Sequence, residues 1–318
     1  MEQPIQINAY YIEQETDFSE LITLLREGFA ARNYIIPQRS HHNFPNPKTN
    51  KETTLLMMPA WNPGKEAGVK VVTVSPGNGD FGLPAIQGSY LYLDAVTGVL
   101  RAIIEAKSLT AKRTAATSAL ASSYLSKLDA SSMLMIGTGV LSANLVRAHA
   151  SVRPIDHVFV WGRNLEKAKA LSKDLANENF KVTPVSTIEE KITEVDIISC
   201  ATLSEKPLVI GELLSPGQHI DLVGAYKPNM RESDSMVMTK ASIYLDTLEG
   251  GLEESGDIAI PIQENVITPS CIQGDLFGLC TTKAIGRKSN EEITLFKSVG
   301  HALEDLVAAK YYYSKYVK

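Results

Sequence analysis

The chain has 318 residues, of which 44% are hydrophobic and 21% charged, and its formal net charge is −5. This is the composition of a globular protein large enough for two domains. Its acidic balance excludes a dedicated nucleic-acid or anionic-membrane surface, because either would need a basic field. No apolar run reaches the ~18 residues of a membrane span. Three cysteines without metal-ligand spacing, and an N-terminus without signal-peptide features, favour a cytoplasmic protein.

The first hundred residues are predicted to be rich in strands, with one early helix. A short strand is expected at residues 5–11. Asp17, followed three residues later by Glu20, resembles a helix N-cap, and apolar residues at helical spacing extend that helix to about Arg32. A polar loop with two prolines is expected at 43–50. Four further strands are expected, with the last two forming a hairpin, at 55–59, 68–75, 89–94 and 99–106.

Strands and helices alternate in the middle of the chain, after a helix at 109–128. Such alternation predicts a doubly wound parallel sheet with right-handed crossovers. A long helix at 291–313 is expected to return to the first part of the chain. We therefore predict an α/β protein with a Rossmann-type domain at 113–289 and a discontinuous α+β substrate-binding and dimerisation domain at 1–112 and 290–318. The strands of the Rossmann-type domain are expected at 133–136, 157–161, 181–185, 195–201, 219–225 and 242–246.

A glycine turn follows the first strand of the Rossmann-type domain. An apolar strand ends at Ile136, and Gly137-Thr138-Gly139-Val140-Leu141-Ser142 leads into an amphipathic run. Gly137 would allow a tight turn, and Gly139 would let the backbone approach a pyrophosphate at the helix N-terminus. The same pattern also fits an ordinary strand–turn–helix. With both flanking elements in place, it predicts dinucleotide binding.

The end of the second strand bears on the choice of cofactor. NAD-preferring folds place an Asp or Glu here for the ribose 2′-hydroxyl. This chain instead has Gly162, Arg163 and Asn164. Nothing in this segment would repel a 2′-phosphate, and a guanidinium can bind one bidentately. The segment favours NADP(H), with NAD(H) as the alternative if Arg163 is only a solvated loop charge.

Three cations occupy places where charge is unusual. Arg39 ends an apolar run, Lys70 lies between two valines in a strong strand, and Arg113 belongs to an alanine-rich helix. Each alone would be explained by an exposed side chain or a structural ion pair. Since a buried cation needs an anionic partner, the three together indicate a binding site for a small carboxylate substrate. Burial would also allow Lys70 to give or take a proton.

Other kinds of catalytic site find little support in the sequence. The histidines show neither HxxxH nor HxH spacing, so we predict no catalytic metal. The adjacent His41 and His42 are interpreted as loop residues. The Gly-x-Ser-x-Gly nucleophile elbow is absent, and no cysteine lies in a recognisable catalytic context.

The chain resembles the ornithine cyclodeaminase/mu-crystallin family over nearly its whole length. The resemblance implies a homodimer built from the N-terminal domains and a nucleotide domain that binds NAD(H) or NADP(H). The most specific matches are the Arg-Thr-Ala-Ala segment at 113–116 and the Ile-Thr-Leu-Phe-Lys-Ser-Val-Gly segment at 293–300. Further matches lie at 37–39, 68–70, 93–98, 137–142 and 221–232.

The family resemblance also implies roles for single residues. It implies that Arg39, Lys70 and Arg113 contact a substrate carboxylate and that Val299 lies near the substrate. Positions expected to line the cofactor or its phosphates are Arg113, Thr114, Thr202, Val223, Gly224, Ala225, Tyr226 and Ser298.

One departure from the family pattern bears on the reaction. Ornithine cyclodeaminases carry an aspartate in the segment where this chain has Tyr226, so the obvious partner for an ornithine ammonium is missing. The pattern is closer to an imine-reducing branch. We expect NAD(P)H-dependent reduction of a cyclic ketimine carboxylate, with Lys70 and Arg113 as catalytic residues. Δ1-Pyrroline-2-carboxylate, giving proline, is the first candidate substrate, and Δ1-piperideine-2-carboxylate is the second.

Three alternatives stay open at this point. Alanine dehydrogenase would need ammonia and pyruvate, and ornithine cyclodeaminase would release ammonia without net redox change. A non-catalytic protein similar to mu-crystallin would bind NADPH and a small ligand. Retention of all three cations argues against this last alternative, because an apolar ligand gains little from them.

Overall fold

The structure is a computed structural model that describes residues 3–318. The chain forms two units. Unit 1 contains the chain up to Arg113 together with Ala302–Lys318, and unit 2 is Thr114–His301. The second boundary therefore lies twelve residues beyond the expected residue 290, because the intervening segment belongs to the sheet of unit 2.

The elements follow one another along the chain in this order. The first part contains β1 (Ile5–Ile7), α1 (Ala9–Glu15), α2 (Phe18–Ala31), β2 (Ser40–Asn46), β3 (Lys51–Asn62), β4 (Glu66–Val74), β5 (Ile86–Asp94), β6 (Leu100–Glu105) and α3 (Ala106–Leu125). The second contains β7 (Ser132–Ile136), α4 (Val140–Val152), β8 (His157–Trp161), α5 (Leu165–Asp174), β9 (Lys181–Pro184), β10 (Ile197–Cys200), β11 (His219–Leu222), α6 (Ser235–Lys240), β12 (Ser242–Leu245), α7 (Leu248–Glu253), α8 (Gly256–Gln263), β13 (Ile272–Asp275), α9 (Leu276–Cys280), β14 (Thr294–Lys297) and α10 (Ala302–Tyr316).

Unit 1 is a six-stranded sheet covered by helices. Its strand order is β1-β6-β5-β4-β3-β2, antiparallel except for the β1–β6 pair. Helix α2 begins where the Asp17 side chain accepts a hydrogen bond from Glu20 N, as its capping pattern predicted. Its buried side chains include Leu21, Leu25 and Phe29, and α10 packs against both α2 and the sheet. This packing places the first turn of α10 near strand β4.

Unit 2 confirms the predicted Rossmann-type α/β fold. Its eight strands are all parallel, in the order β13-β12-β14-β11-β10-β7-β8-β9. The chain order reverses at β7, with β8 on one side and β10 on the other. In open sheets of this kind, ligands bind outside the carboxyl ends of the strands at such a reversal. We therefore expect a ligand-binding site at the loops that follow β7, β8, β10 and β11.

The predicted long helix at 291–313 is wrong in its first half. Residues 294–297 form β14, a central strand buried on every residue and paired with β11 and β12. Ile293, Phe296 and Val299 are spaced as on one face of a helix. A strand that is buried on both faces need not alternate apolar and polar residues, so its sequence does not distinguish it from a helix. Helix α10 begins only at Ala302, after Gly300 with φ 86°.

Three other local predictions also need correction. Residues 9–15 form α1 rather than continuing a strand, because Asn8 accepts a hydrogen bond from Tyr11 N and caps a helix. Residues 40–46 form the edge strand β2, where a proline is tolerated, so His41 and His42 lie in a strand rather than a loop. The sequence also predicts a short helical segment at 273–279, but 272–275 form a strand and only 276–280 are helical.

Candidate active site

The glycine turn after β7 has the geometry of a dinucleotide-binding turn. Gly137 has φ 122°, in the region that favours glycine, and its N–H donates to Trp161 O at 2.9 Å. A Cβ on Gly137 would lie 2.6 Å from Ala201 O. Gly139 is the N-cap of α4, and a Cβ there would meet only open space. The first-turn N–H groups of Val140 and Leu141 follow it, as pyrophosphate binding requires.

A cavity of about 360 Å³ opens beside this turn in unit 2. Arg163 and Lys167 are the charged residues among its described lining, and neither Asp nor Glu occurs in that set. The site is therefore suited to an anion rather than to a ribose held by a carboxylate. The cavity is lined by Gly137, Thr138, Gly139, Trp161, Gly162, Arg163, Asn164, Lys167, Ala201, Thr202, Leu203, Ser204 and Leu208.

Close packing explains the residues at the end of β8. A Cβ on Gly162 would lie 2.6 Å from the Thr138 methyl group, so a larger residue at this position would force Thr138 to move. Asn164 caps α5, since its Oδ1 accepts hydrogen bonds from Glu166 N and Lys167 N. This capping orients the first turn of α5, from which Lys167 reaches the cavity. Sequence reasoning did not include Lys167.

A buried carboxylate joins the loops that follow β10 and β11. Glu232 Oε1 accepts from Thr202 N at 2.6 Å and from the Thr202 hydroxyl at 2.9 Å. Its Oε2 accepts from Gly224 N at 2.7 Å and Ala225 N at 3.3 Å. The expected cofactor-lining residues Thr202, Gly224 and Ala225 are thus brought together, and the Thr202 hydroxyl donates to Glu232.

The loop after β14 is held by a second carboxylate. Asp246, at the end of β12, accepts from the Ser298 hydroxyl at 3.1 Å, from Val299 N at 2.7 Å and from Gly300 N at 2.6 Å. Ser298 and Val299, which the family resemblance placed near cofactor and substrate, therefore lie in a loop of fixed shape. Neither Asp246 nor Glu232 was among the expected site residues.

The remaining expected cofactor residues of unit 2 are less informative. Val223 is buried just after β11. Tyr226 is 38% exposed, and the Lys227 ammonium lies 5.7 Å from the centre of its ring. Thr114 is buried in α3. The segment after Gly224 thus presents a partly exposed aromatic ring, that of Tyr226.

Two of the three expected substrate cations meet in unit 1. Lys70 Nζ lies 2.8 Å from Asp305 Oδ2, and Arg113 Nε donates to Asp305 Oδ1 at 2.9 Å. Arg113 Nη1 also donates to Glu304. All four side chains are buried, so the expected burial of Lys70 is confirmed. Arg39 is half-buried, and its charge is felt by both Lys70 and Asp305.

The electrostatics of this cluster set the protonation states of its members. Two cations, Lys70 and Arg113, are paired with two carboxylates, Glu304 and Asp305, and the charge of Arg39 acts on both Lys70 and Asp305. Burial lowers the pKa of Lys70 to about 8, with Asp305 opposing and Arg113 adding to the shift. Burial would raise the pKa of Asp305, but Arg113 and Lys70 hold it below its ordinary value. Asp305 is therefore ionised while Lys70 is poised to exchange a proton.

Tyr90 completes the surroundings of Lys70. It lies directly opposite Lys70 in the β4–β5 pair, so both side chains point to the same face of the sheet. Its hydroxyl is fully buried and has no hydrogen-bond partner among residues 3–318. Burial, reinforced by Asp305, raises its pKa well above 10, so it remains a neutral donor.

Sequence reasoning found the cations of unit 1 but missed their carboxylate partners. It assigned the anion that a buried cation needs to a substrate, whereas Glu304 and Asp305 supply it within the chain. A signal was present, because two adjacent acids interrupt the apolar stripe of the last helix between Leu303 and Leu306. Residues 3–318 contain no cluster of His, Cys, Asp or Glu able to hold a metal ion. In the same range, no helix is long and apolar enough to cross a membrane.

Comparison with known proteins identifies the family. The family model described as ornithine cyclodeaminase/mu-crystallin family matches residues 3–318. An uncharacterized protein of Schizosaccharomyces pombe is 44% identical over 308 residues, 94% of this chain and 93% of its own. The Δ1-pyrroline-2-carboxylate reductase of Colwellia psychrerythraea is 36% identical over 95% of this chain and 96% of its own.

A solved structure agrees with these relatives. The Δ1-pyrroline-2-carboxylate reductase of Thermococcus litoralis, in complex with NADH and L-proline, superimposes with a TM-score of 0.91 at 32% identity. The match covers 98% of this chain and 97% of that one. With the whole-length family match and this likeness of fold, the chain belongs to the ornithine cyclodeaminase/mu-crystallin family.

Proposed function

We propose that this protein is an NAD(P)H-dependent reductase of a cyclic ketimine carboxylate, with Δ1-pyrroline-2-carboxylate as first substrate and L-proline as product. The observation that carries the proposal is the buried Lys70–Asp305–Arg113 cluster with Arg39 beside it. Relatives at 36% identity are named as reductases of this substrate, which supports the same assignment. Δ1-Piperideine-2-carboxylate, one ring carbon larger, is the second candidate.

The residues of unit 1 perform binding and proton delivery. Arg39 and Arg113 bind the substrate carboxylate, because a guanidinium can hold a carboxylate through two parallel hydrogen bonds. Lys70 holds the same carboxylate and supplies the proton that keeps the imine nitrogen cationic, so that its carbon accepts a hydride. Asp305 keeps Lys70 and Arg113 in place, as their 2.8 and 2.9 Å contacts show. A reduced nicotinamide supplies the hydride, and positioning is most of the protein's contribution.

The cofactor is a nicotinamide dinucleotide, and we propose a preference for NADP(H). The residues around the turn fit such a group: Gly139 leaves open space at the N-terminus of α4, and Arg163 and Lys167 line the adjoining cavity. Two cations without a nearby carboxylate in that lining suit a 2′-phosphate. Val140 and Leu141 would offer N–H groups to the pyrophosphate. NAD(H) is the alternative outcome.

A substrate panel tests the reaction. The panel is Δ1-pyrroline-2-carboxylate, Δ1-piperideine-2-carboxylate, pyruvate with ammonia, and ornithine, each followed by reduced-cofactor absorbance and by an ammonia assay. We expect consumption of reduced cofactor with the cyclic imines. Faster turnover of pyruvate with ammonia would indicate an alanine dehydrogenase, and ammonia release from ornithine a cyclodeaminase. Tight cofactor binding without reduction of any imine would indicate a non-catalytic binding protein.

We also propose a homodimer formed through unit 1. The support is a group of large apolar side chains of unit 1 that are about half exposed, namely Ile35, Phe44, Phe81, Leu83 and Ile86. Apolar side chains exposed in this number are typical of a surface that another protein covers. Light scattering on the purified protein should give twice the 34.7 kDa chain mass. A mass of one chain at all concentrations would contradict the proposal.

A further inference from the structure

Glu232 is a buried carboxylate that accepts four hydrogen bonds from two loops at the carboxyl edge of the sheet in unit 2. Its two oxygens accept from the backbone or hydroxyl of Thr202 on one side, and from Gly224 N and Ala225 N on the other. The loops approach so closely that a Cβ on Gly224 would lie 1.9 Å from Thr202 O. A single side chain therefore bridges the loops that follow β10 and β11.

The carboxylate is anchored from behind by a buried charge network. Lys297, at the end of β14, lies 3.2 Å from Asp257 Oδ2 and 3.9 Å from Glu232 Oε2. Asp257 Oδ1 in turn accepts from Glu232 N and Ser233 N, which fixes the backbone that carries Glu232. Two carboxylates thus share one ammonium in a place without solvent, and their formal charges do not balance.

The protonation of the Glu232 carboxyl consequently depends on pH in the mildly acidic range. Its neighbours that carry or can carry charge are Lys297 on β14, Asp257 on α8 and Cys200 on β10. Burial raises the pKa of Glu232 to about 6, with Lys297 lowering it and Asp257 raising it further. Burial also raises the pKa of the Cys200 thiol well above its ordinary value, so Cys200 stays neutral.

Protonation would disturb the hydrogen bonds that join the loops. An ionised carboxylate accepts from all four donors. A protonated carboxyl accepts more weakly, and its proton must either face the N–H groups of Gly224 and Ala225 or reverse the hydrogen bond with the Thr202 hydroxyl. A carboxyl that accepts more weakly leaves buried N–H groups poorly satisfied, which favours a wider separation of the two loops.

We propose that Glu232 is a positioning residue for cofactor binding. Its protonation in mildly acidic solution separates the two loops and weakens binding of the dinucleotide. This inference rests on the proposed function only in that the dinucleotide is a nicotinamide cofactor. It does not depend on which substrate is reduced. An equilibrium binding assay without substrate therefore tests it apart from the reductase activity.

The first test is the pH dependence of NAD⁺ binding to the unmodified protein by isothermal titration calorimetry. NAD⁺ is stable in acid, and it lacks the 2′-phosphate, which would itself titrate near pH 6. We expect the dissociation constant to rise about tenfold between about pH 8 and about pH 5, with its midpoint near the pKa of Glu232. A dissociation constant that stays constant across this range would overturn the proposal.

The second test is Glu232→Gln, with Glu189→Gln as a matched control. Glu189 is an exposed carboxylate of the same unit. The amide keeps the size of the side chain, but its NH₂ group cannot accept a hydrogen bond. We therefore expect about tenfold weaker NAD⁺ binding at about pH 8, and no further rise of the dissociation constant between about pH 8 and about pH 5. The control should reproduce the unmodified protein. A rise of the dissociation constant toward acid pH that persists in Glu232→Gln would assign the titration to another group and overturn the proposal.

A third measurement needs no variant and separates loosened loops from a failure to fold. Hydrogen exchange of the Thr202, Gly224 and Ala225 amides should become faster below about pH 6, after correction for intrinsic exchange, while β10 and β11 remain protected. Unchanged protection of these three amides, or equal loss in the strands, would contradict a local effect of Glu232.

Discussion

Lys70 is the residue whose chemistry depends most on its surroundings. It is 4% exposed, lies against Asp305 and feels the charges of Arg113 and Arg39. Burial favours its neutral form, so its pKa falls from 10.5 to about 8. Below about pH 8 it carries the proton that we propose it gives to the imine nitrogen, and above about pH 8 that proton is lost. A bound substrate carboxylate would favour the charged form and move this point upward.

The pH dependence of imine reduction follows from this sign. We expect kcat/KM for Δ1-pyrroline-2-carboxylate to be constant below about pH 8 and to fall as pH rises through the pKa of Lys70. Initial rates at saturating reduced cofactor measure it. Lys70→Arg keeps a positive charge, and the pKa of a guanidinium is far higher than that of an ammonium. The fall of kcat/KM at alkaline pH should therefore be absent from the activity that this variant retains. An alkaline limb at the same pH in Lys70→Arg would show that another group is responsible.

Removal of Lys70 tests its role directly. Lys70→Ala should reduce turnover by about 10²–10⁴-fold, the usual contribution of a positioned acid, while NADPH still binds. Steady-state rates and a cofactor titration measure the two effects. Lys65→Ala, an exposed lysine in the turn before β4, is the matched control and should behave as the unmodified protein. Near-normal rates in Lys70→Ala would contradict the assignment.

Asp305 acts through Lys70, and its effect has a predictable direction. Its negative charge raises the pKa of Lys70, so Asp305→Asn should lower that pKa further. We expect the alkaline limb of kcat/KM to move to lower pH by about one unit. A merely structural role would lower the rate at every pH without moving the limb, and that result would argue against a positioning role for Asp305.

At the level of elements, a helix or strand could be predicted where its buried residues recurred at a characteristic spacing or where a capping residue marked its start. Helix α2 could be predicted because Asp17 caps it and its buried positions recur at helical spacing. Strand β14 could not be, because each of its residues is buried and its apolar spacing agreed with a helix. The same error concealed Glu304 and Asp305, whose place in the first turn of α10 depends on where that helix starts.

The turn between β8 and α5 carries the prediction for cofactor choice. Arg163→Ala and Lys167→Ala should each weaken NADPH binding by about tenfold and leave NADH binding nearly unchanged, since a charged hydrogen bond is lost only with the 2′-phosphate. Fluorescence titration with both cofactors measures this. Lys169→Ala, on the exposed side of α5 and paired with Glu166, is the control.

Equal losses for the two cofactors would remove Arg163 and Lys167 from the 2′-phosphate site. A substitution of Gly162 by aspartate is a poorer test, because its Cβ would lie 2.6 Å from the Thr138 methyl group. A change of cofactor preference in that variant could not be separated from a displaced glycine turn.

At the level of the whole molecule, the sequence was sufficient for the fold class and for the family. The strand–turn–helix order around Gly137 and the alternation that follows it are local features, and the structure has both. The contacts between distant segments were not predictable. Glu232, Asp246 and Asp305 each form hydrogen bonds with residues on other elements that are distant in sequence. Residue spacing along the chain does not predict such contacts.

The proposed carboxylate-binding residues Arg39, Lys70 and Arg113 lie in a chain whose net charge is −5. The central claim is that the substrate is a cyclic imine recognised through its carboxylate. The most direct measurement compares kcat/KM for Δ1-pyrroline-2-carboxylate with that for Δ1-pyrroline, the same ring without the carboxylate, at saturating NADPH. The account predicts reduction of the carboxylate to L-proline and at least about 10²-fold poorer use of the bare ring, as loss of paired charges requires. Equal use of both rings, or no reduction of the carboxylate, would contradict it.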